Sequence, residues 1–212
     1  MVIAIDGPAG AGKSTVARGV ADALGFTYLD SGAMYRCVAL AALRAGTDPG
    51  DADGVAALAR EAEIGFDDGS VLLDGEDVTA AIREPAVTEA ASRASVHAEV
   101  RGALVARQRA LIEAGSYVAE GRDIGTIVSP DSPLKVFLTA ADGERAQRRA
   151  AQTGQPLAQV LADQAERDSR DREREHGALR AASDSFELDT TGRSVEDVVE
   201  RVVALARERG IA

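Results

Sequence analysis

Short apolar runs alternate with helical patterns along the chain. Each run is almost continuously apolar, which is typical of a parallel strand buried on both faces. Strands that alternate with helices predict a parallel sheet covered by helices on both faces, with ligands bound beyond the carboxyl ends of the strands. We therefore expect an α/β protein with a five-stranded parallel sheet, whose strands are VIAID (2–6), TYLD (27–30), YVAE (117–120), KVFL (135–138) and FELD (186–189).

Apolar residues at helical spacing predict helices between these strands. The first would end at Gly25, and the last would begin at Ser194, whose hydroxyl can cap a helix with Asp197 three residues further on. The second helix would run from about Met34 to Arg44, and the third from about Thr88 to Ala114 with Val96 in its apolar stripe. The predicted apolar faces of the first and last helices are Val16, Val20, Ala23 and Leu24, and Val195, Val198, Val199, Val202 and Val203.

Two segments break this alternation. Residues 64–85 alternate Asp-Gly turn signals with short apolar pieces, which predicts a small antiparallel appendage. Residues 142–180 are polar and rich in both arginines and acids, with few apolar side chains to bury. We expect one ordinary domain that carries both segments as additions.

Composition and charge narrow the class of protein. A net charge of −11 argues against non-specific binding to nucleic acid or to an anionic membrane. The single cysteine, Cys37, excludes an internal disulfide, favours a reducing compartment, and is interpreted as core packing. The chain starts directly on VIAID, and no run approaches the ~18 apolar residues that a membrane span needs. We expect a cytoplasmic protein, and its polar surface favours a monomer.

The stretch GPAGAGKS, residues 7–14, carries the most specific chemistry. Its spacing satisfies G-x-x-x-x-G-K-[ST], in which glycines let successive backbone N–H groups converge on a phosphate. Lys13 would add a point charge for the β- and γ-phosphates, and the Ser14 hydroxyl could ligate Mg²⁺ directly or through water. A buried strand leads in and an amphipathic helix leads out, so the stretch predicts binding of a nucleoside triphosphate.

The remaining motifs indicate which reaction follows. A GTPase would need an N-K-x-D run, and the only lysines are Lys13 and Lys135. An ABC-type ATPase would need a longer domain with its own signature stretch. A small phosphotransferase, which passes the γ-phosphate to a bound acceptor, is the class that remains.

Arginine-rich pieces supply a candidate acceptor site. LDSGAMYR (29–36) and AEGRDIG (119–125) follow predicted strands, so their polar residues would emerge at the same sheet edge as Lys13. A guanidinium matches a phosphate in a bidentate way. ERDSRDRER (166–174) could join them, although taken alone it fits a solvated charged helix better. Glu120 could be the acid near Mg²⁺ or a structural partner. The arginines that could converge are at 36, 122, 170, 172 and 174.

Four blocks in this order, IDGPAGAGKST, YLDSGAMYR, VAEGRDIGTIVSPDSPLKVFL and ERDSRDRER, resemble the bacterial cytidylate kinases, a family of nucleoside monophosphate kinases. The resemblance covers essentially the whole chain. It implies a three-layer P-loop NTPase-type fold: a core of residues 1–30 and 115–212, a monophosphate-binding region at 31–114 with the family insert at 64–85, and a mobile lid at 142–180.

The resemblance also implies roles for individual residues. The ATP phosphates would be held by Gly7, Pro8, Ala9, Gly10, Ala11, Gly12, Lys13, Ser14 and Thr15. The acceptor phosphate would be held by Arg36, Arg122 and Arg174, with Ser31 and Tyr35 lining the site. The ribose would contact Arg167 and Asp171. The base would be read by Ser92, Arg101 and Asp123, with Ser95 as an alternative to Ser92.

The implied reaction is Mg²⁺-dependent, in-line transfer of the ATP γ-phosphate to CMP or dCMP, with Lys13, Arg122, Asp123 and Arg174 as the catalytic set. A carboxylate at Asp123 can accept a hydrogen bond from the cytosine N4 amine, where uracil would present a carbonyl. Two other functions stay open from the residues alone. One is a related small kinase for adenylate or a non-nucleotide alcohol, and the other is a non-catalytic ATP-binding regulator.

Overall fold

A computed structural model of the chain describes residues 1–67 and 69–211. The described residues fall into two compact units. The first comprises Met1–Asp30 and the residues from Arg109 onward, and the second comprises Ser31–Gln108. Asp68, which belongs to the predicted Asp-Gly turns, lies outside the described residues, as does Ala212. The division into core, monophosphate-binding region and lid stays a prediction.

Strands and helices follow one another through both units. The strands are β1 (Val2–Asp6), β2 (Thr27–Asp30), β3 (Ile64–Asp67), β4 (Ser70–Leu73), β5 (Glu76–Asp77), β6 (Tyr117–Gly121), β7 (Leu134–Thr139) and β8 (Phe186–Asp189). The α-helices are α1 (Lys13–Leu24), α2 (Ser31–Ala45), α3 (Ala52–Glu61), α4 (Pro85–Ala94), α5 (Ala98–Glu113), α6 (Asp142–Thr153), α7 (Leu157–Glu173) and α8 (Val195–Glu208). A 3₁₀ turn spans Ala81–Arg83, and a π-helical turn spans Ile124–Val128.

The parallel sheet of the first unit brings the candidate residues to one edge. Within the described residues it has five strands in the order β2-β6-β1-β7-β8. Asp30 lies opposite Glu120, and Asp6 lies opposite Gly121, so these strands end side by side. The predicted α/β class is confirmed, and each predicted strand agrees with the observed one to within a residue at either end.

Helices α1 and α8 cover the buried side chains of this sheet, among them Ile3, Ile5 and Leu138. The Ser194 hydroxyl caps α8 by accepting from the Asp197 N–H, as predicted. In α1 and α8, two positions were wrongly assigned to the core. Ala23 in the last turn of α1 is exposed, and Val195 is 42% exposed because it lies in the first turn of α8.

The prediction of a single helix from about Thr88 to Ala114 was wrong. The chain instead forms α4 and α5, separated at residues 95–97, and Val96 is 44% exposed at the break. The Ser95 hydroxyl donates to the Ser92 carbonyl oxygen, a local bond of the kind that competes with helix continuation. Two further differences are that α2 begins at Ser31, ahead of its predicted start, and that α3 was not predicted.

The second unit contains the predicted antiparallel appendage. Strands β3, β4 and β5 pair in that order. Val71, Leu73 and Val78 pack with the buried Cys37 of α2 in one apolar cluster, which confirms that Cys37 is a core residue. The appendage is therefore part of the hydrophobic core of its unit.

Residues 142–180 bury more than their composition suggests. Helices α6 and α7 pack against each other, and the buried side chains include charged and amide groups. Hydrophobicity alone does not identify such positions, because the charged groups among them are buried in ion pairs. The buried polar residues are Arg145, Gln164, Asp168 and Asp171. No helix in the described part of the chain is long and apolar enough to cross a membrane.

Candidate functional site

The loop between β1 and α1 has the backbone conformation of an anion-binding turn. Gly7, Gly10 and Gly12 have φ angles of 148°, 78° and 88°, a region that residues with side chains rarely adopt. A Cβ at Gly7 would lie 2.2 Å from the Leu138 carbonyl oxygen, so a side chain there would collide with β7. Lys13 then begins α1, whose first N–H groups carry partial positive charge. The loop can therefore hold phosphate groups at the carboxyl edge of the sheet.

Lys13 is almost completely enclosed, with 7% of its surface exposed. Its Nζ donates to the Pro8 carbonyl oxygen at 2.9 Å. Burial and the nearby charge of Arg122 lower the pKa of Lys13 to about 7. A phosphate beside the amine would favour the ammonium form again, so the protonation of Lys13 is coupled to an anion in the loop.

Ser14 and Glu120 provide oxygen atoms next to this lysine. The Ser14 hydroxyl hydrogen-bonds to the Glu120 carboxylate, which also accepts from the Tyr28 hydroxyl. Burial and the adjacent Asp30 carboxylate raise the pKa of Glu120. Hydroxyl and carboxylate oxygens suit Mg²⁺. In the described residues no group of three or more His, Cys, Asp or Glu could hold a metal ion, so phosphate oxygens would have to complete such a site.

Asp6 at the end of β1 fixes the turn that follows β6. Its two carboxylate oxygens accept from the backbone N–H groups of Ile124 and Gly125, each at 2.8 Å. Burial raises the pKa of Asp6 to about 6, although both N–H groups favour its ionised form. The last residue before the phosphate loop thereby positions Asp123, which directly precedes the π-helical turn.

Arg122 belongs to a buried charge cluster with α7. Its Nε donates to Asp171 Oδ2 at 2.8 Å, and Arg174 binds the other Asp171 carboxylate oxygen. Although burial opposes ionisation, the charges of Arg122, Arg174 and Arg167 hold the pKa of Asp171 at about 2. Lys13 is close enough that Arg122, Arg167 and Asp171 all influence its pKa. The structure therefore brings these predicted residues together beside the phosphate loop.

The other arginines of the 166–174 run lie to either side of Asp171 on α7, each about 100° around the helix from it. Arg170 pairs with Glu166 one turn earlier, and Arg172 is exposed. These two positions fit the solvated charged helix that was the alternative interpretation of this run. The buried face of the same helix carries Asp168 and Asp171.

A family model described as cytidylate kinase matches residues 3–208. The chain belongs to the cytidylate kinase family. It is 47% identical over 216 residues to the cytidylate kinase of Solibacter usitatus, with 99% of this chain and 93% of that protein covered. It is 49% identical over 214 residues to the cytidylate kinase of Burkholderia pseudomallei, with 99% and 94% covered. Both the predicted family and the prediction of a kinase are confirmed.

Solved structures of other kinases share the fold of this cytidylate kinase family member. A gluconokinase from Sinorhizobium meliloti superposes with a TM-score of 0.52 at 17% identity, with 99% of this chain and 93% of that chain covered. At this identity the likeness concerns the fold alone. It confirms the P-loop kinase fold that the family resemblance implied.

Five residues that the family resemblance assigns to CMP lie in the second unit, and Ser92 is one of them. Ser31 is buried at the start of α2, and Tyr35 and Arg36 follow one turn later, each half-buried. Arg101 of α5 is 4% exposed, with its guanidinium 5.7 Å from the centre of the Tyr35 ring. A buried arginine over an aromatic ring is held in one orientation, as a base-reading group would need to be.

Ser92 and Ser95, the two serines between which the resemblance left a choice, are both buried. The Ser95 hydroxyl donates to the Ser92 carbonyl oxygen at 2.9 Å. That bond uses the one proton of Ser95, whereas a serine that reads cytosine must donate its proton to the base. The choice between the two serines stays a prediction.

Sequence reasoning missed several residues that build this part of the kinase. Asp6 was included only as the end of a strand, and Tyr28, Arg145 and Asp168 were not singled out. A polar residue that ends an apolar strand directly before Gly7 could have pointed to Asp6. Arg145 and Asp168 gave no such signal, because charged residues surround both of them in the sequence.

Proposed function

We propose that this chain transfers the γ-phosphate of ATP to CMP and to dCMP, giving ADP and the nucleoside diphosphate. The observation that carries the proposal is the pairing of two different anion-binding sets in the first unit. One is the glycine loop with the buried Lys13, and the other is the guanidinium cluster of Arg122 and Arg174 around Asp171. Two adjacent phosphate-binding sets suit a donor and an acceptor.

On the donor side, residues 7–15 would enclose the ATP phosphates. The N–H groups of the loop and of the first turn of α1 supply neutral donors, and Lys13 supplies charge. Ser14, with Glu120 behind it, would hold Mg²⁺ directly or through water. When bound, Mg²⁺ would withdraw electron density from the phosphate oxygens and so stabilise the charge that develops during transfer.

On the acceptor side, we assign the CMP phosphate to Arg36, Arg122 and Arg174. Arg167 and Asp171 would hold the ribose, and Ser31 and Tyr35 would line the site. In the free protein the single negative charge of Asp171 compensates part of the positive charge of Arg122 and Arg174, which lowers the cost of burying them before the phosphate arrives. A dianionic phosphate can then compete for the same guanidinium groups.

The base would be read by hydrogen bonds of fixed polarity. The Asp123 carboxylate would accept from cytosine N4, while Arg101 and Ser92 would donate to N3 and O2. Uracil replaces the N4 amine with a carbonyl, which would leave two acceptors facing each other. A buried site built around such a bond rejects the wrong base strongly.

The transfer itself would need little covalent chemistry from the protein. Guanidinium groups and Lys13 would neutralise the charge that spreads over the transferred oxygens, and the two phosphates would be held in line. Residues 142–180 would close over them and exclude water that could otherwise accept the phosphate. A cytoplasmic, monomeric protein remains our expectation.

The direct test is a coupled assay with purified protein, ATP and a panel of acceptors: CMP, dCMP, UMP, AMP and shikimate. We expect turnover with CMP and dCMP to exceed that with every other acceptor. Activity on CMP no greater than on AMP, UMP or shikimate would contradict the assignment. ATP binding without transfer to any acceptor would favour the non-catalytic regulator instead.

A further inference from the structure

Arg145 joins the phosphate loop to the α6–α7 pair. Its side chain is 3% exposed, and its Nη1 donates to the Ala9 carbonyl oxygen at 2.7 Å. Its Nη2 lies 2.7 Å from Asp168 Oδ2 and 2.6 Å from Asp142 Oδ1. One guanidinium therefore contacts the loop, its own helix α6 and the neighbouring helix α7.

The contact fixes the orientation of one peptide group in the loop. In a trans peptide the C=O and the following N–H point in opposite directions. Because the Ala9 C=O points at Arg145, the Gly10 N–H points away from it. Backbone N–H groups of such loops are the donors that hold phosphates. Arg145 thus determines where one potential phosphate donor points.

Packing at Gly10 holds the loop in the same place. A Cβ at Gly10 would lie 3.0 Å from Arg145 Cβ, 3.0 Å from the Arg145 carbonyl oxygen and 3.0 Å from Gln164 Nε2. The loop backbone therefore lies directly against α6 and α7. A glycine at this position allows the close approach that the Arg145–Ala9 bond needs.

The cluster is not arranged for stability alone. Asp168 is 2% exposed, so Arg145 and Asp168 form a fully buried ion pair. Among the described residues, Arg145 Nε, Asp168 Oδ1 and Gln164 Oε1 are buried without a hydrogen-bond partner. Native structures contain few such atoms, and each calls for an explanation. Apolar side chains of similar volume can often replace a buried ion pair without loss of stability, so a positioning role explains the Arg145–Asp168 pair better than stability does.

Helix α7 extends this connection to the acceptor side. Asp171 follows Asp168 by one turn on the same buried face, and it holds Arg122 and Arg174. The same helix thus binds the phosphate loop through Asp168 and Arg145, and the acceptor-side arginines through Asp171.

We infer that Arg145 is a positioning residue for phosphate transfer, which orients the Ala9–Gly10 peptide and ties the phosphate loop to the helix that holds Arg122 and Arg174. Arg145 does not itself need to touch either nucleotide. The inference rests on the proposed function, because the reaction that it serves is the transfer from ATP to CMP.

The test compares Arg145→Met, Arg145→Lys and a matched surface control, Arg201→Met, whose side chain is half exposed in α8. We expect Arg145→Met to lower kcat by at least about tenfold and to raise the KM for ATP, since a displaced donor group weakens transition-state stabilisation. The KM for CMP should stay within about twofold of the control, because the acceptor-side residues are unchanged. Arg145→Lys, which keeps a charged donor, should recover part of the lost kcat.

A purely structural role predicts a different result. If kcat of Arg145→Met stays within twofold of Arg201→Met, the inference is wrong. It is also wrong if both KM values change together and lysine performs no better than methionine. Thermal melting checks the fold of each variant, and should Arg145→Met be unfolded, Arg145→Lys is judged by the same kcat and KM criteria.

The proposed function and this inference can fail separately. If the unsubstituted protein transfers no phosphate to CMP, the proposed function is wrong. Titration calorimetry with ATP alone would then still examine the loop: weaker ATP binding in Arg145→Met than in Arg201→Met supports the positioning role, and equal binding contradicts it.

Discussion

Lys13 and Glu120 are buried side by side, and burial shifts the pKa of each toward its neutral form. Burying an ionisable group is unfavourable, and in an ordinary core apolar side chains occupy such positions. Beside a phosphate loop the burial of Lys13 strengthens its attraction to a bound anion, because little water remains to screen the two charges.

The first prediction concerns the proton on Lys13. Its pKa of about 7 in the free protein leaves most of the amine neutral at pH 8.5. A bound triphosphate should return it to the ammonium form, so ATP binding should take up close to one proton at pH 8.5 and much less at pH 6. Calorimetry in buffers with different ionisation enthalpies measures this uptake.

Lys13→Arg is the control for this measurement, since a guanidinium stays charged at every pH used. We expect no uptake at pH 8.5 in this variant. Equal uptake in the two proteins would show that another group titrates.

A second prediction at the same scale concerns Asp123. Asp123→Asn keeps the volume of the side chain but replaces one carboxylate oxygen with an amide donor. We expect kcat/KM for CMP to fall by about 10²-fold, while UMP loses much less, because the amide can face the uracil carbonyl. Steady-state kinetics on both substrates measure the ratio. The exposed Asp131→Asn should leave it unchanged, and a parallel loss on CMP and UMP would argue against base reading by Asp123.

Helix packing determines stability at the scale of elements. Gly19 of α1 faces α8, and a Cβ there would lie 2.8 Å from Val199 Cγ2. Valine is stiff about χ1, so its methyl group cannot easily move aside. The close approach of these two helices therefore depends on the missing side chain.

We predict that Gly19→Ala lowers the free energy of unfolding by roughly 1–3 kcal/mol through this overlap. Gly102→Ala is the matched control: it lies in α5 with open space around it, and it should raise stability by roughly 0.5–1 kcal/mol. Urea denaturation gives both values. In the double variant Gly19→Ala, Val199→Ala the loss should be smaller than the sum of the single losses; strict additivity would mean that the two residues do not meet.

At the scale of the whole molecule, we expect the binding of CMP to be independent of the binding of Mg²⁺. The candidate magnesium ligands lie with the phosphate loop, whereas the groups assigned to CMP include none of them. Removing Mg²⁺ should therefore stop transfer without preventing CMP from binding.

We expect EDTA to abolish phosphate transfer while CMP still raises the melting temperature of the protein, as any ligand specific for the folded state does. Ser14→Ala should lower kcat by at least about tenfold and require more Mg²⁺ for half-maximal activity. Ser14→Thr keeps the hydroxyl and should behave nearly as the unsubstituted protein. An unchanged magnesium requirement in Ser14→Ala would remove Ser14 from the proposed metal site.

Much of the architecture could be predicted because its signals are local. The run VIAID is apolar at every position but the last, and a strand buried on both faces has that composition. The glycine loop can be recognised from the spacing of its residues, because each glycine allows a backbone conformation that the loop needs at that position. Where a local bond overrides the periodic pattern, as at Ser95, the prediction of one long helix failed.

The charged residues of α7 show where such reasoning stops. The sequence pattern gave Asp168, Arg170 and Asp171 the same appearance, yet Asp168 and Asp171 are buried and Arg170 pairs with Glu166 at the helix surface. Which face of a polar helix is buried depends on what packs against it, and no apolar stripe marks that face.

By itself, the sequence determined the succession of strands and helices along the chain, the phosphate loop and the family. Each of these depends on neighbouring residues or on motifs of fixed spacing. Only the tertiary structure decided which charges meet. Arg122 donates a hydrogen bond to Asp171, Asp6 accepts from the backbone of the turn after Asp123, and Arg145 donates to the Ala9 carbonyl oxygen. These partners are far apart in the chain, and an ion pair or a hydrogen bond forms wherever the fold brings donor and acceptor within about 3 Å, whatever their separation in sequence.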